Sequence, residues 1–443
     1  MTKGFVRHLL RARAEPADAF LALCRDSPYA LWLDNHGERG ASVSYIAVAE
    51  PIALTSRWRD EVREARKALA LEPGVGLDGV PLGVHLVLPY ELAQETLGVE
   101  LPTHGVMTPY ALSVSRVVEI DHRSGAVTAC ALVTPGDDLT SWIDELERAL
   151  EAATPAGLPE LPTLTEATWR DSEDRYRDMI AASQDFIAQG DAYQLCVTTS
   201  VSLDAAVDPC ALHQVMRETN PTHHQALMRL GDVSLVSASP ETFVVLTADG
   251  AITTRPIKGT RPRGGEPIED ARLAAELLGS DKERAENLMI VDLMRNDLSR
   301  VCETGSVHVP ELLQVESYAT VHQLVSTVSG QVRAELDLVD VLDAVFPAGS
   351  MTGAPKKRAV EILATLEGQP RGLYAGTYGV WRADGSAEFA MTIRTALIEG
   401  NRVTLGVGGG ITALSEPDSE IREVGVKAQA FLRALGLEQV GYS

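Results

Sequence analysis

The stretch TFVVLTADGAITTRPIKGT, residues 242–260, decides how the chain is to be read. Val244, Val245 and Leu246 lead into a turn at Asp249-Gly250, and Ile252 to Ile257 then read as a returning, largely buried strand, so the segment predicts an antiparallel hairpin. Lys258 follows directly, in an apolar setting just before Gly259-Thr260. Burial disfavours an ammonium, and the neighbouring cations Arg255 and Arg261 act in the same direction, which favours a neutral, nucleophilic amine. On these residues alone the alternative is a lysine reaching from a strand end to water.

The chain has 443 residues, 45% of them hydrophobic, enough for a large continuous core. With 62 acidic against 39 basic residues the formal charge is −23, which argues against nucleic acid or anionic membrane surfaces as general partners. An acidic protein that handles an anionic substrate must gather its cations locally, and those near Lys258, Lys356 and Arg394 are placed to do so. Five scattered cysteines without metal-ligand spacing are expected to be reduced thiols. The N-terminal apolar stretch is too short and interrupted for a secretory signal, and no run is long enough to span a membrane, so a cytoplasmic location is expected.

One composition break stands out, TPAGLPELPTLT from Thr154, with three prolines in eight residues. It divides the chain into an N-terminal lobe (1–153), a linker (154–168) and a catalytic region (169–443). Before it, strand-like Tyr29 to Leu33, Val43 to Val48 and Leu82 to Leu88 mix with a helical stretch from Ser141 to Ala152. After it, Tyr176, Met179, Ile180, Ser183 and Ile187 share a helix face. No regular βαβ rhythm emerges, and the expected class is α+β with large antiparallel sheets.

Two helices carry acids toward the interior. Ser280 and Glu283 form a capping-box signature that starts a helix at Asp281, running toward Ser299, on which Glu286 shares a stripe with Met289, Ile290 and Leu293. A second helix beyond Pro417 buries Ile421, Val424, Ala428, Phe431 and Leu435, with Glu420, Glu423 and Lys427 on a strip bordering that face. Two inward glutamates repel unless a cation lies between them, and oxygen-only ligation suits Mg²⁺; unrelated salt-bridge partners on solvated faces are the other reading. Gly408, Gly409 and Gly410 follow a strand from Arg402 to Val407 and suit close approach of backbone amides to an anion, or else a bulge. No GxGxxG arrangement accompanies them. Lys356, in GAPKK at a helix start, lacks the spacing of a phosphate-loop lysine and is a weaker substrate-side candidate.

Together with Lys258, four ordered blocks, AENLMIVDLMRNDLSR from Ala285, FPAGSMTGAPKKRAVEIL from Phe346, GLYAGTYGVW from Gly372 and GVGGGITALSEPDSEIREVGVKAQA from Gly406, resemble the chorismate-binding enzymes. That group includes the large components of anthranilate synthase and aminodeoxychorismate synthase, together with isochorismate and salicylate synthases. The resemblance is dense from Trp169 to Leu435. It implies a sandwich of two β-sheets with helices outside and the active site between them. It also implies Mg²⁺ at Glu286 and Glu423, with Glu420 contributing through water or as a supporting group. Chorismate contacts are implied at Gly259, Thr260, Ser350, Tyr374, Arg394, Gly408, Gly409, Gly410 and Lys427, with Arg394 suited to gripping a carboxylate.

Three positions discriminate within the group. Gln194 stands where relatives that add water carry a lysine base; glutamine cannot serve that way, which leaves ammonia as the nucleophile. Lys258 stands where anthranilate synthases typically have alanine and aminodeoxychorismate synthases have lysine. The resemblance therefore implies a covalent Lys258 adduct at C2, then ammonia at C4, giving 4-amino-4-deoxychorismate for the p-aminobenzoate branch that serves folate or a secondary metabolite. Gln323 replaces the family histidine before Leu-Val-Ser, and His322, one residue earlier on a strand, faces the other way. The competing expectation is an anthranilate synthase large component; a catalytically silent relative is disfavoured by the intact Lys258, Glu286, Arg394 and Glu423. The sequence contains no GxCxG nucleophile elbow for glutamine hydrolysis, so a separate glutaminase subunit is expected. LWLDN at residues 31–35 and VSYIA at 43–47 resemble the motifs lining the tryptophan pocket of anthranilate synthases. The polar run Thr222-His223-His224-Gln225 in its wall leads to an expectation of weak or absent tryptophan inhibition.

Overall fold

A computed structural model describes residues 2–36, 42–72, 74–153, 157, 160–164, 166–318 and 321–437. Of the expected linker 154–168, residues 154–156, 158–159 and 165 lie outside the described residues. The class is α+β, as the mixed periodicities require: the described residues form two large antiparallel sheets, of twelve and ten strands. In each sheet the N-terminal strands make up one end and later strands the other, and the two sets meet at a single pairing. In the larger one Tyr29–His36 pairs with His224–Leu230, and in the smaller one Gly83–Leu88 pairs with Thr377–Arg382.

The two faces of the larger sheet follow from the pleat, because successive side chains leave a strand on opposite sides. Leu31, Cys196 and Met228 join Leu86, Phe243 and Phe389 of the smaller sheet in the core between the layers. Their neighbours Trp32, Val197 and Leu227 point outward, where the helices Glu173–Ala188, Pro209–Thr219 and Pro417–Ala434 cover them. Both acid-bearing helices form where the sequence places them. Asp281–Ser299 is capped by Ser280, whose hydroxyl accepts from the Glu283 amide at 3.4 Å, and Pro417–Ala434 starts with proline at its first turn. Among the described residues no helix is long and apolar enough to cross a membrane.

The opening hairpin forms with a shorter return than the sequence suggests. Thr242–Leu246 pairs with Ala251–Thr254, and the chain then breaks before a separate strand, Ile257–Pro262. Pro256 supplies no amide to the ladder, which interrupts the strand there. Ile257–Pro262 pairs instead with Val321–Gln331, with an irregularity between Ile257 and Thr260 where Gly259 takes φ +88°. A Cβ at Gly259 would lie 2.8 and 2.9 Å from the ends of the Leu277 and Glu283 side chains, which can swing aside, so it is the positive φ that calls for glycine.

A second correction concerns Gly408 to Gly410. They form no turn: the strand runs unbroken from Arg402 to Ile411 and pairs in register with Gln194–Asp204. Glycine serves there for space rather than conformation. A Cβ at Gly410 would lie 2.5 Å from Gln194 Nε2, and one at Gly408 would lie 2.5 Å from the Val197 carbonyl oxygen.

Candidate active site

A cavity of about 540 Å³ opens between the edge of the smaller sheet, the helix Asp281–Ser299, the glycine-rich strand and the start of Pro417–Ala434. Thirteen of the expected site residues line it: Lys258, Gly259 and Thr260 from one strand, Glu286 from the first helix, Ser350 from the short 3-10 helix Gly349–Met351, Tyr374 and Arg394 from loops, and Gly408, Gly409, Gly410, Glu420, Glu423 and Lys427 from the C-terminal strand and helix. Gln194 stands behind Gly410, 1% exposed, with neither amide atom hydrogen-bonded to any described residue.

Lys356 is placed elsewhere. Its ammonium is buried against Asp297 at 2.6 Å and donates to the Val345 carbonyl at 2.6 Å. Burial pulls its pKa down while Asp297 acts in the opposite direction. A solvated helix start and a buried ion pair look the same in sequence, since the partner lies on another helix.

The surroundings of Lys258 differ from the sequence expectation. Arg255 is ion-paired with Glu316, and Arg261 with Glu276 at 3.1 Å and Glu283 at 3.5 Å, so neither stands as a bare cation beside the lysine. Lys258 is half-buried, donates to the Ser350 carbonyl at 3.4 Å, and faces the carboxylates of Glu241, Glu286 and Glu423.

Glu241 is the functional candidate the sequence reading missed. It follows Pro240 in the SPE segment between two strands, is buried, and lines the same cavity. Burial raises its pKa; Lys258 and a hydrogen bond with Ser350 only partly offset this. The one available sequence signal was a glutamate directly after an apolar strand ending in Ser-Ala-Ser. Lys282 was missed as well: its ammonium sits 2.9 Å from Glu420 and 3.9 Å from Glu286, bridging the two acid-bearing helices.

The carboxylates suit a cation. Glu286 is buried with Oε1 lacking any hydrogen-bond partner among the described residues, and burial pushes its pKa up to about 7. A buried carboxylate in that condition is stabilised by a positive charge. Glu423, whose side chain is 51% exposed, has its pKa lowered: desolvation raises it, but Lys427 at 2.8 Å together with Lys282 and Lys258 outweighs that effect. Among the described residues no group of three potential ligands is gathered tightly enough to hold a metal as it stands, and Lys282 occupies the space between two of the acids. The oxygen-only donor set of Glu286, Glu420 and Glu423 fits Mg²⁺, which retains several waters and accepts substrate oxygens.

Arg394 also faces the cavity. Its guanidinium lines the cavity with no ion pair among the described residues, and burial alone lowers its pKa. Its backbone adopts φ +47°, a left-handed conformation that costs a non-glycine residue roughly 1–2 kcal/mol. Opposite, Lys427 donates to the Gly408 carbonyl at 2.9 Å, fixing the helix to the glycine strand.

The strand pleat separates His322 from Gln323 as expected. Gln323 lines the cavity, whereas His322 is buried on the far side against Ser317 and Asp270, each at 2.8 Å.

The floor is held by one buried ion pair. Arg371 donates to both oxygens of Glu367, at 2.9 and 2.8 Å, and to the carbonyls of Met351 and Cys196 at 2.7 and 2.8 Å. Glu367 also accepts from the Thr198 amide at 2.9 Å. Removing one partner leaves a buried charge uncompensated, so Glu367→Ala is expected to lose about 3–5 kcal/mol of stability. Denaturant unfolding measures this, and a loss under about 1 kcal/mol would contradict it.

The LWLDN and Thr222–Gln225 segments meet at a separate, smaller cavity of about 90 Å³, lined by Asp34, Asn35, His223, His224 and Gln225 among others. His224 is bonded to Thr242 at 2.7 Å and is 3.7 Å from Glu388. His223, His224 and Gln225 make one polar side of this cavity, while Leu33, Tyr45, Met228, Tyr378 and Val380 line much of the rest, so the wall is less polar than its sequence suggests.

A profile of chorismate binding enzymes matches residues 28–433. The chain is 35% identical to the aminodeoxychorismate synthase of Streptomyces pristinaespiralis over 96% of its own length and 64% of the relative's. It is 40% identical to the Streptomyces griseus aminodeoxychorismate synthase, covering 79% of this chain and 49% of that protein. Thus the chain spans between about half and two thirds of these curated relatives. It is also 36% identical to anthranilate synthase component 1 of Streptomyces coelicolor, over 95% and 86% of the two chains. Among solved structures, anthranilate synthase component I from Streptococcus pneumoniae superposes with a TM-score of 0.74 at 25% identity, covering 97% of this chain and 92% of that one. The menaquinone-specific isochorismate synthase of Escherichia coli has the same fold, with a TM-score of 0.74 at 19% identity, over 98% and 95% of the two chains.

Proposed function

The chain belongs to the chorismate-binding enzyme family, and from that premise we propose that it aminates chorismate at C4 with ammonia, giving 4-amino-4-deoxychorismate and water. The observation that carries this reading is an amine, Lys258, and a buried carboxyl whose pKa burial raises, Glu241, lining one cavity.

The chemistry is two allylic displacements. Lys258 first gives one ammonium proton to water, which it regains when it is released; its Nζ lone pair then forms a bond to C2, the ring double bonds shift, and the C4–O bond breaks. Glu241 gives its proton to the departing oxygen, which leaves as water. Ammonia then bonds to C4, the double bonds shift back, and the C2–N bond to Lys258 breaks. Ammonia loses one proton in becoming the C4 amine, and that proton balances the one Glu241 gave to water. Arg394 and Tyr374 hold one substrate carboxylate, which fixes the ring over Lys258. Glu286, Glu423 and Glu420 would hold Mg²⁺, which when bound supplies positive charge for the second carboxylate. The nitrogen source is a glutaminase that releases ammonia from glutamine.

An anthranilate synthase reading is favoured by the comparable identity to that group. It requires no amine nucleophile, and Lys258 in the cavity weighs against it. Incubation with chorismate, Mg²⁺ and an ammonium salt is expected to yield a product that a lyase converts to p-aminobenzoate. Direct appearance of fluorescent anthranilate would overturn the assignment.

A further inference from the structure

Among the lysines that line the cavity, Lys282 differs in what holds it. Lys258 donates to the Ser350 carbonyl and Lys427 to the Gly408 carbonyl, so each is tied to backbone. The Lys282 ammonium has no such anchor among the described residues. Its partners are two carboxylates, Glu420 at 2.9 Å and Glu286 at 3.9 Å, and both belong to the set that fits Mg²⁺. Glu423, the third of that set, acts on the same charge.

The bridge is incomplete. The ammonium reaches Glu420 within hydrogen-bond distance but not Glu286, since 3.9 Å is too long for such a bond, and Glu286 Oε1 stays buried without a partner among the described residues. Position along the helix also disfavours the lysine. Lys282 is the second residue of Asp281–Ser299, in the first turn, where the free amides give the helix end a positive character. Glu420 stands in the first turn of Pro417–Ala434, where the same effect favours an anion. The acid is therefore well placed without the lysine, whereas the lysine is held only by the acids. Its side chain is 37% exposed, and its flexible stem can carry the ammonium into water without moving the backbone.

We propose that Lys282 is a tethered counter-ion that competes with the divalent ion for Glu420 and Glu286 and swings out to water when the ion binds. A divalent ion carries twice the charge and draws both carboxylates, including the Glu286 oxygen that the ammonium leaves unmatched. The lysine thereby sets how much Mg²⁺ is needed to fill the site. While it is in place it also keeps two inward acids from repelling each other.

This exchange rests on the metal assignment in the proposed function, and the test separates the two. Mg²⁺ binding is measured by titration calorimetry on chelator-treated protein, without chorismate. Lys282→Met keeps the length and removes the charge, and the Kd for Mg²⁺ is expected to fall roughly 10-fold because the site no longer carries its own competitor. Lys282→Arg keeps the charge and can grip a carboxylate with two donors, so the Kd is expected to rise several-fold. A third measurement uses the unmodified protein: reductive methylation followed by peptide mass spectrometry, in which Lys282 is expected to react several-fold faster with saturating Mg²⁺ than without it. A lysine that merely braces two helices would react no faster, and its removal would not tighten Mg²⁺ binding. An equal Kd in the parent and Lys282→Met, or labelling of Lys282 that Mg²⁺ leaves unchanged or slows, overturns the exchange alone. If neither protein binds Mg²⁺, the metal assignment falls and the exchange with it.

Discussion

Lys258→Ala is expected to lower the rate of C4 amination by about 1000-fold or more while chorismate still binds, because removing a covalent nucleophile removes a reaction step rather than a contact. Binding survives because the anchoring groups lie elsewhere: Arg394 and Tyr374 on loops, Glu286, Glu423 and Glu420 on two helices. Alanine also removes the amine that donates to the Ser350 carbonyl at 3.4 Å, a small loss in a cavity open to water. Two measurements check the prediction. Product formation is followed by mass and by lyase-coupled release of p-aminobenzoate, and intact-protein mass spectrometry without ammonia looks for an adduct that the variant lacks. Undiminished C4 product from Lys258→Ala would eliminate the covalent route.

Glu241→Gln carries the second largest effect, a loss on the order of 100- to 10,000-fold in kcat, the usual contribution of a positioned general acid. Hydroxyl is a poor leaving group, and a carboxyl can protonate it where a carboxamide cannot. Glutamine keeps the shape and can still bond to Ser350, so a folding defect is not the expected cause. The pH profile gives a sharper readout. Burial raises the pKa of Glu241, with Lys258 and Ser350 opposing, so its acid form extends to higher pH than that of a solvated glutamate. As pH rises through that value the proton donor is lost and kcat falls; in the variant this descending limb should vanish. A variant within about 10-fold of the parent, with the limb retained, would remove Glu241 from the chemistry.

Much of the architecture was legible because it is local. The alternation around Leu31 and Trp32, the helical stripe through Glu286, Ile290 and Leu293, and the Ser280 cap each follow from periods of two and 3.6 residues. The pleat alone separated Gln323 from His322. What periodicity misread is instructive. Gly408 to Gly410 read as lying beyond the strand or as a bulge, since a glycine run reports missing side chains without saying whether conformation or crowding requires it. Lys356 resembled a substrate-facing cation because its partner, Asp297, comes from a helix far away in sequence. Arg255 and Arg261 seemed to crowd Lys258 until cross-strand and interhelical acids were found to neutralise them.

By itself the sequence determined the family, the α+β class, and which side chains point inward from each element, because these depend on residue type and spacing along the chain. Only the tertiary structure decided which inward faces share a cavity: that Glu241 meets Lys258, that Lys282 bridges the acid-bearing helices, and that Lys356 turns away. Those pairings are set by long-range register between strands and by how helices seat on a sheet. No local pattern encodes such distances, since each is fixed by packing among segments up to hundreds of residues apart.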